Sequence, residues 1–99
     1  MSLVQLESFV AVAEEAHVGR AAARLHLSQP PLTRRIRGLE DELGAPLFER
    51  TARGMRLLPT GQLLLPRARA ILAAVEDARR LVRPPPGGVQ TGIDPGALG

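Results

Sequence analysis

The chain has 99 residues with no cysteine, 44% hydrophobic residues and a formal net charge of +3. This length holds one small domain and at most a tail, so a large enzyme is disfavoured. The lack of cysteine excludes a disulfide framework and a thiolate metal site and agrees with a reducing compartment. The sequence also lacks an apolar run of about 18 residues and a signal pattern, which predicts a cytoplasmic protein without a membrane partner.

The basic charge is unevenly distributed along the chain. Residues 1–16 carry three acids and no base, whereas residues 17–56 carry eight arginines against four acids. Residues 57–83 carry five arginines against two acids. This cation excess is the pattern expected of a protein that binds an anionic polymer, although charged faces are most often only solvated.

Two helices are predicted first. In LVQLESFVAVAEEA (residues 3–16), the apolar residues that share one helical arc are Leu3, Leu6, Phe9, Val10 and Ala13. VGRAAARLHL (residues 18–27) follows, with Ala22 and Leu25 and with small residues that allow close helix packing. A short turn at residues 26–28 leads into the next helix.

The third helix is predicted within LSQPPLTRRIRGLEDELG, residues 27–44. Its buried stripe is predicted at helical spacing by Leu32, Ile36, Leu39 and Leu43. Arg34 and Arg37 fall opposite this stripe, Thr33 lies at the edge of the exposed arc, and Gly44 ends the helix. The alternative is a merely solvated face with an ion pair between Arg37 and Asp41.

The start of this helix is unusual because Ser28 is followed closely by two prolines. An N-cap hydroxyl accepts from the amide two or three residues on, and Pro30 and Pro31 have none. A rigid first turn with few free donors can lie against another surface. Two helices joined by a short turn predict a helix-turn-helix whose second helix enters the major groove, where arginine reads guanine and Gln29 can read adenine.

A β-hairpin is predicted within PLFERTARGMRLLP, residues 46–59, with its turn at residues 52–54. Arg50, Arg53 and Arg56 surround that turn. A hairpin beside a recognition helix is a wing, and an arginine at its tip suits the narrow minor groove. The alternative is a surface hairpin whose arginines are only solvated.

The last helix is predicted from about Thr60 to Arg83. A heptad seam is predicted along it by Leu64, Ala68, Ile71, Val75, Ala78 and Val82. The seam favours a partner helix, and the alternative is that part of it packs against the first helix of the same chain. Pro66 is predicted to bend or locally open this helix.

The run FVAVAEEAHVGRAAARLHLSQPPLTRRIRGLEDELGAPLFERTARGMRLLPTG (residues 9–61) resembles the DNA-binding domain of the LysR-type transcriptional regulators. With the last helix, the likeness covers nearly all of residues 3–83. The resemblance implies a mainly α, winged helix-turn-helix fold with a long C-terminal linker helix through which two protomers dimerise. The predicted DNA contacts are Ser28, Gln29, Pro30, Thr33, Arg34, Arg37 and Arg53. The predicted dimerisation residues are the six of the seam.

Two departures from the family pattern carry predictions. His17, Val18 and Gly19 stand where the family usually has a small residue, an aromatic and a hydroxyl residue, which predicts a lost helix cap and a less well filled core. Leu58 replaces the threonine that commonly caps the linker helix, which leaves Thr60 and the preceding turn to organise that end.

The predicted domains are a DNA-binding domain over residues 1–58, a dimerisation helix over residues 59–83 and a tail over residues 84–99. In the tail, RPPPGG is a breaker, and VQTGIDPGALG resembles the first strand of the family's effector domain. A lone strand has nothing to pair with, so residues 87–99 are predicted to be poorly ordered. A small-molecule effector is not expected to bind this fragment.

Other chemistry is sparse. His17 and His26 are nine residues apart without a third ligand, so no metal site is predicted. The chain has no cofactor loop and no hydroxyl residue with a nearby base, so no cofactor, no catalytic residue and no enzyme activity are predicted.

The function predicted from the sequence is sequence-specific binding of double-stranded DNA by a homodimer or higher oligomer on an interrupted palindromic operator. One alternative is a truncated interaction fragment that forms mixed dimers with full-length regulators. Another is a winged-helix module of a different regulator family, such as one resembling molybdate-responsive repressors.

Overall fold

The computed structural model describes residues 1–84, so the predicted strand-like tail lies outside the described residues. The elements are α1 (Leu3–Glu15), α2 (Val18–Arg24), α3 (Gln29–Leu43), β1 (Phe48–Thr51), β2 (Gly54–Leu57) and α4 (Pro59–Val82). The predicted mainly helical, winged helix-turn-helix fold is confirmed, with a two-stranded hairpin between α3 and the long α4. Within residues 1–84, no helix combines the length and the apolar character needed to span a membrane.

Helix α1 is the central element and packs against α2, α3 and α4. It starts with a capping box, in which the Ser2 hydroxyl accepts the Gln5 amide at 3.1 Å and the Gln5 side chain accepts the Ser2 amide at 2.9 Å. Its inward arc is buried as predicted at Leu6 and Phe9, whereas Leu3 in the first turn is 41% exposed. Each fully buried large side chain stabilises the fold by about 1.5–3 kcal/mol.

The apolar stripe of α3 is confirmed at three of its four predicted positions. Leu32, Ile36 and Leu39 are 0–6% exposed and join the core of α1. The prediction for Leu43 is wrong, because this side chain is 42% exposed. Leu43 is the last helical residue, and the chain turns away at Gly44 with a left-handed φ of 71°, so no neighbouring element covers it.

The hairpin pairs Phe48 with Leu57 at its base and Thr51 with Gly54 next to its turn. The Phe48 ring points into the core, 5.5 Å from the ring of Phe9 between centroids. This aromatic contact fixes the base of the hairpin on α1.

The start of α4 is organised without a side-chain cap from its N-cap residue, Leu58. The Thr60 hydroxyl donates to the Pro46 carbonyl, and the Leu58 amide donates to the Leu47 carbonyl at 2.9 Å. The prediction that Thr60 and the preceding turn organise this end is therefore confirmed. The helix then continues through Pro66 without interruption.

Glu14 of α1 connects three helices. Its carboxylate pairs with Arg24 of α2 at 2.8 Å and with Arg69 of α4 at 2.9 Å. Hydrogen bonds from Arg24, and then from Arg69, lower the pKa of Glu14 because they stabilise the charged carboxylate. These pairs are partly exposed and each contributes little stability, so their main effect is to orient α4 on α1.

Candidate nucleic-acid interface

The first turn of α3 has the donor-poor start that the sequence predicts. Ser28 is the N-cap with extended φ and ψ of −78° and 167°, and its side chain makes no capping bond. Ser28, Gln29 and Pro30 are exposed. The first turn therefore exposes side chains, including a proline ring, and has few backbone amides that need a hydrogen-bond partner.

The polar face of α3 lies opposite its buried stripe. Arg34 and Arg37 are exposed and Thr33 is half-buried. The alternative pairing of Arg37 with Asp41 is not formed, since no carboxylate of residues 1–84 lies within 4.0 Å of the Arg34 or Arg37 guanidinium. Six of the seven predicted DNA contacts thus lie between the N-cap and the third turn of α3.

The seventh predicted contact, Arg53, lies in the two-residue turn of the hairpin and is exposed. Thr51 supports this turn, because its hydroxyl accepts the Arg53 amide at 3.3 Å and donates to the Gly54 carbonyl at 3.2 Å. Arg56, on the second strand, forms an ion pair with Glu49. Within residues 1–84, a carboxylate therefore lies within 4.0 Å of the Arg56 guanidinium, whereas none lies that close to the Arg53 guanidinium.

Two contacts that the sequence did not reveal hold the hairpin in place. The Glu40 carboxylate of α3 accepts the Leu47 amide at 2.7 Å and the Phe48 amide at 3.4 Å. On the other side, the Ala16 carbonyl accepts the Met55 amide at 3.0 Å. The hairpin is therefore bonded both to α3 and to the loop between α1 and α2.

A cleft of about 130 Å³ lies between α3 and the hairpin. Its apolar wall includes Val18, the residue predicted to fill the core less well than an aromatic. Its polar lining is formed by Thr33, Arg37, Glu40 and Arg50. The cleft therefore brings an arginine of α3 and an arginine of β1 to one opening.

The predicted loss of the cap on α2 is wrong. His17 is the N-cap, and its Nδ1 accepts the Arg20 amide at 3.1 Å. A neutral imidazole carries one acceptor nitrogen, which here performs the function of a hydroxyl or carboxylate cap. Since a side chain on Gly19 would place its Cβ 2.9 Å from the His17 ring, this glycine gives the ring its space.

The predicted seam of α4 divides into two parts. Ala68 is fully buried and Leu64 packs against the core of the same chain, as the alternative prediction held for part of the seam. Beyond them, Ile71 is 38% exposed and Val82 is 84% exposed. The other two seam residues, Val75 and Ala78, are half-buried and exposed, respectively.

Within residues 1–84, no group of three or more His, Asp or Glu side chains is arranged to hold a metal ion. Of the two histidines, His17 is used as a helix cap and His26 is exposed on the turn between α2 and α3.

Comparison with known proteins places this interface in a family. The family described as bacterial regulatory helix-turn-helix protein, lysR family, matches residues 3–62. The HTH-type transcriptional regulator TfdT of Cupriavidus pinatubonensis (strain JMP 134 / LMG 1197) is 54% identical over 80 residues, which cover 81% of this chain and 35% of TfdT. ClcR of Pseudomonas putida is 52% identical over 79 residues, 80% of this chain and 27% of ClcR. The chain thus spans about a third or less of these relatives' length.

Two similar solved structures contain DNA. The CbnR_DBD-DNA complex matches with a TM-score of 0.74 and 42% identity, over 84% of this chain and 100% of that one. The BenM_DBD/catB site 1 DNA complex matches with a TM-score of 0.79 and 40% identity, over 82% of this chain and 91% of that one.

Proposed function

The chain belongs to the LysR family of bacterial regulatory helix-turn-helix proteins, and on this premise we propose that it binds double-stranded DNA sequence-specifically as a transcription regulator. The DNA complexes of CbnR_DBD and BenM_DBD, which match most of the chain, support this proposal. A regulator of this kind acts in the cytoplasm, where the DNA is, and performs no catalysis.

The observation that carries the proposal is the distribution of the arginines that have no carboxylate of residues 1–84 within 4.0 Å. Within these residues, five arginines do have such a carboxylate, namely Arg24, Arg56, Arg69, Arg79 and Arg80. Of the others, the five on α3 and the hairpin are Arg34, Arg35, Arg37, Arg50 and Arg53. Positive charge left unpaired at a helix and its neighbouring hairpin suits the phosphate backbone of a duplex.

In this proposal, α3 is the recognition helix and lies in the major groove. Gln29, Thr33 and Arg34 lie within the first two turns of α3, the part of a recognition helix that reaches base edges. Arginine can bind guanine with two hydrogen bonds and glutamine can bind adenine in the same way. Arg53, at the tip of the hairpin, contacts the adjacent minor groove or its phosphates in this proposal.

We further propose that the outer part of α4 contacts a second copy of the chain. Its exposed or half-buried apolar side chains at Ile71, Val75 and Val82 continue the seam after Leu64 and Ala68 have entered the chain's own core. A two-fold dimer on α4 would place two recognition helices on an interrupted palindrome. In this division, residues 1–58 bind DNA and residues 59–83 dimerise.

The same exposed seam supports a second candidate function, in which the chain pairs with longer regulators and acts by forming mixed dimers. That function needs the α4 seam but not the arginine face. DNA binding by the chain itself distinguishes the two.

The test is selection of binding sites from a random duplex library with the purified chain at two salt concentrations. Arg34→Ala is the test variant, and Arg56→Ala is the matched control, because Arg56 is an exposed arginine that is paired with Glu49 and lies outside the predicted DNA contacts and the dimerisation seam. We expect an interrupted palindrome that Arg56→Ala retains and Arg34→Ala loses, and we expect Arg34→Ala to bind the selected duplex about 1–3 kcal/mol more weakly than the wild type does. Salt-sensitive binding without a motif, shared by all three proteins, would contradict base reading and favour the mixed-dimer function.

A further inference from the structure

Arg50 lies on the inner side of the hairpin. Side chains alternate between the two faces of a strand, and Phe48, two residues earlier, is buried in the core. Glu49 between them belongs to the outer face, where it pairs with Arg56 of the second strand. The backbone therefore turns Arg50 towards α3, where it lines the same cleft as Arg37.

The cleft holds more positive charge than its single carboxylate can neutralise. Neither Arg37 nor Arg50 has a carboxylate of residues 1–84 within 4.0 Å. Glu40, which also lines the cleft, is bound by the backbone amides at the start of β1. Two guanidinium groups beside the Thr33 hydroxyl form a set of donors suited to a phosphate.

On the basis of the proposed function, we propose that Arg50 is a further DNA contact, which binds a backbone phosphate beside Arg37. In this proposal, Glu40 is the residue that positions Arg50. Glu40 lies one helical turn after Arg37 on α3 and accepts the Leu47 and Phe48 amides at 2.7 and 3.4 Å. One carboxylate thereby fixes the separation between the recognition helix and the strand that carries Arg50.

The first test compares Arg50→Ala with Arg56→Ala. Both residues are exposed arginines on neighbouring strands of the hairpin, but Arg56 lies on the outer face in an ion pair. The probes are the duplex recovered by selection and a random-sequence duplex of the same length. We expect Arg50→Ala to bind both duplexes about tenfold more weakly and to lower the slope of log affinity against log salt by about one, because a phosphate contact is independent of sequence. If Arg50→Ala behaves as Arg56→Ala does, Arg50 is not a phosphate contact.

The second test separates positioning from general stability with a double-mutant cycle. Glu40→Ala removes the acceptor, whereas Glu40→Gln keeps an oxygen that can accept the same amides. We expect Glu40→Ala to weaken DNA binding, Glu40→Gln to restore most of it, and Glu40→Ala to add no further loss in the Arg50→Ala background. An equal loss in both backgrounds, measured where thermal unfolding shows every variant to be folded, would overturn the positioning role.

Failure of this inference is distinct from failure of the proposed function. If the wild-type chain binds no duplex at all, both are overturned. If the wild type binds and Arg34→Ala loses the motif while Arg50→Ala binds like the wild type, only the role of Arg50 is overturned.

Discussion

Replacing Gly54 by alanine tests how the hairpin is held against the rest of the fold. Gly54 has a φ of 134°, and a Cβ there would lie 2.4 Å from the Ala16 carbonyl oxygen. That oxygen accepts the Met55 amide at 3.0 Å, so the new methyl group would displace the hydrogen bond that ties the hairpin to the loop after α1. The unfavourable φ costs about 1–3 kcal/mol. The lost hydrogen bond costs about 0.5–1.5 kcal/mol, which gives a total loss of about 1.5–4.5 kcal/mol in the free energy of unfolding.

Gly44→Ala is the matched control. Gly44 also has a positive φ, 71°, but nothing lies within 4 Å of the position that an added methyl group would take. Gly44→Ala should therefore lower the free energy of unfolding only by the cost of holding an L-residue in the left-handed conformation, about 1–2 kcal/mol. Denaturant unfolding of the wild type and both variants gives the comparison, and each kcal/mol corresponds to about 4–8 °C in Tm for a domain of this size. Equal destabilisation by the two substitutions would refute the argument that the Ala16 contact holds the hairpin.

Four further predictions concern stability. His17→Ala should lower the free energy of unfolding by about 1 kcal/mol and His17→Ser should nearly preserve it, because serine keeps a cap acceptor; equal losses in urea unfolding would contradict the cap. Leu39→Ala should cost about 2–5 kcal/mol. Leu43→Ala should cost less than about 0.5 kcal/mol, and a core-sized loss there would contradict its exposure. Because the pKa of Glu14 is lowered on folding, its stabilising effect is present above the ordinary pKa of 4.5 and is lost as the pH falls through the lowered value. Glu14→Gln should therefore show a shallower loss of stability on acidification, and an unchanged acid profile would contradict the pairing.

Local patterns in the sequence predicted most of the fold. The spacing of Leu32, Ile36 and Leu39 identified the buried face of α3, and the paired prolines identified its uncapped start. The same helical spacing wrongly predicted that Leu43 is buried, because periodicity contains no information on where the neighbouring elements end. The prediction that the cap at His17 is lost is wrong for a related reason. It relied on the residue types that are most frequent at N-caps, whereas any side-chain acceptor in the right position can accept the backbone amide.

Tertiary contacts account for what the sequence did not reveal at the candidate interface. The bonds of Glu40 to two amides seven and eight residues further along the chain depend on how the chain turns after α3, which the helical pattern does not contain. The meeting of Arg37 and Arg50 in one cleft likewise requires the strand and the helix to be placed together. The DNA contacts proposed for Ser28, Gln29, Pro30, Thr33, Arg34, Arg37 and Arg53 remain predictions, now with known exposure.

Because α4 is held to α1 near its middle, a small tilt at that point moves the far end of the helix by a much larger distance. Ala68 and Arg69 hold the helix to α1, and the helix continues to Val82. The roughly 13 residues beyond Arg69 extend about 20 Å at 1.5 Å per residue. A tilt of about 10° at the anchor would therefore move the far end by about 3.5 Å, which is close to the rise of one base pair along a DNA strand, about 3.4 Å. In the dimer proposed for α4, a small repacking between Glu14, Arg24 and Arg69 would therefore displace the partner chain by about the length of one base-pair step.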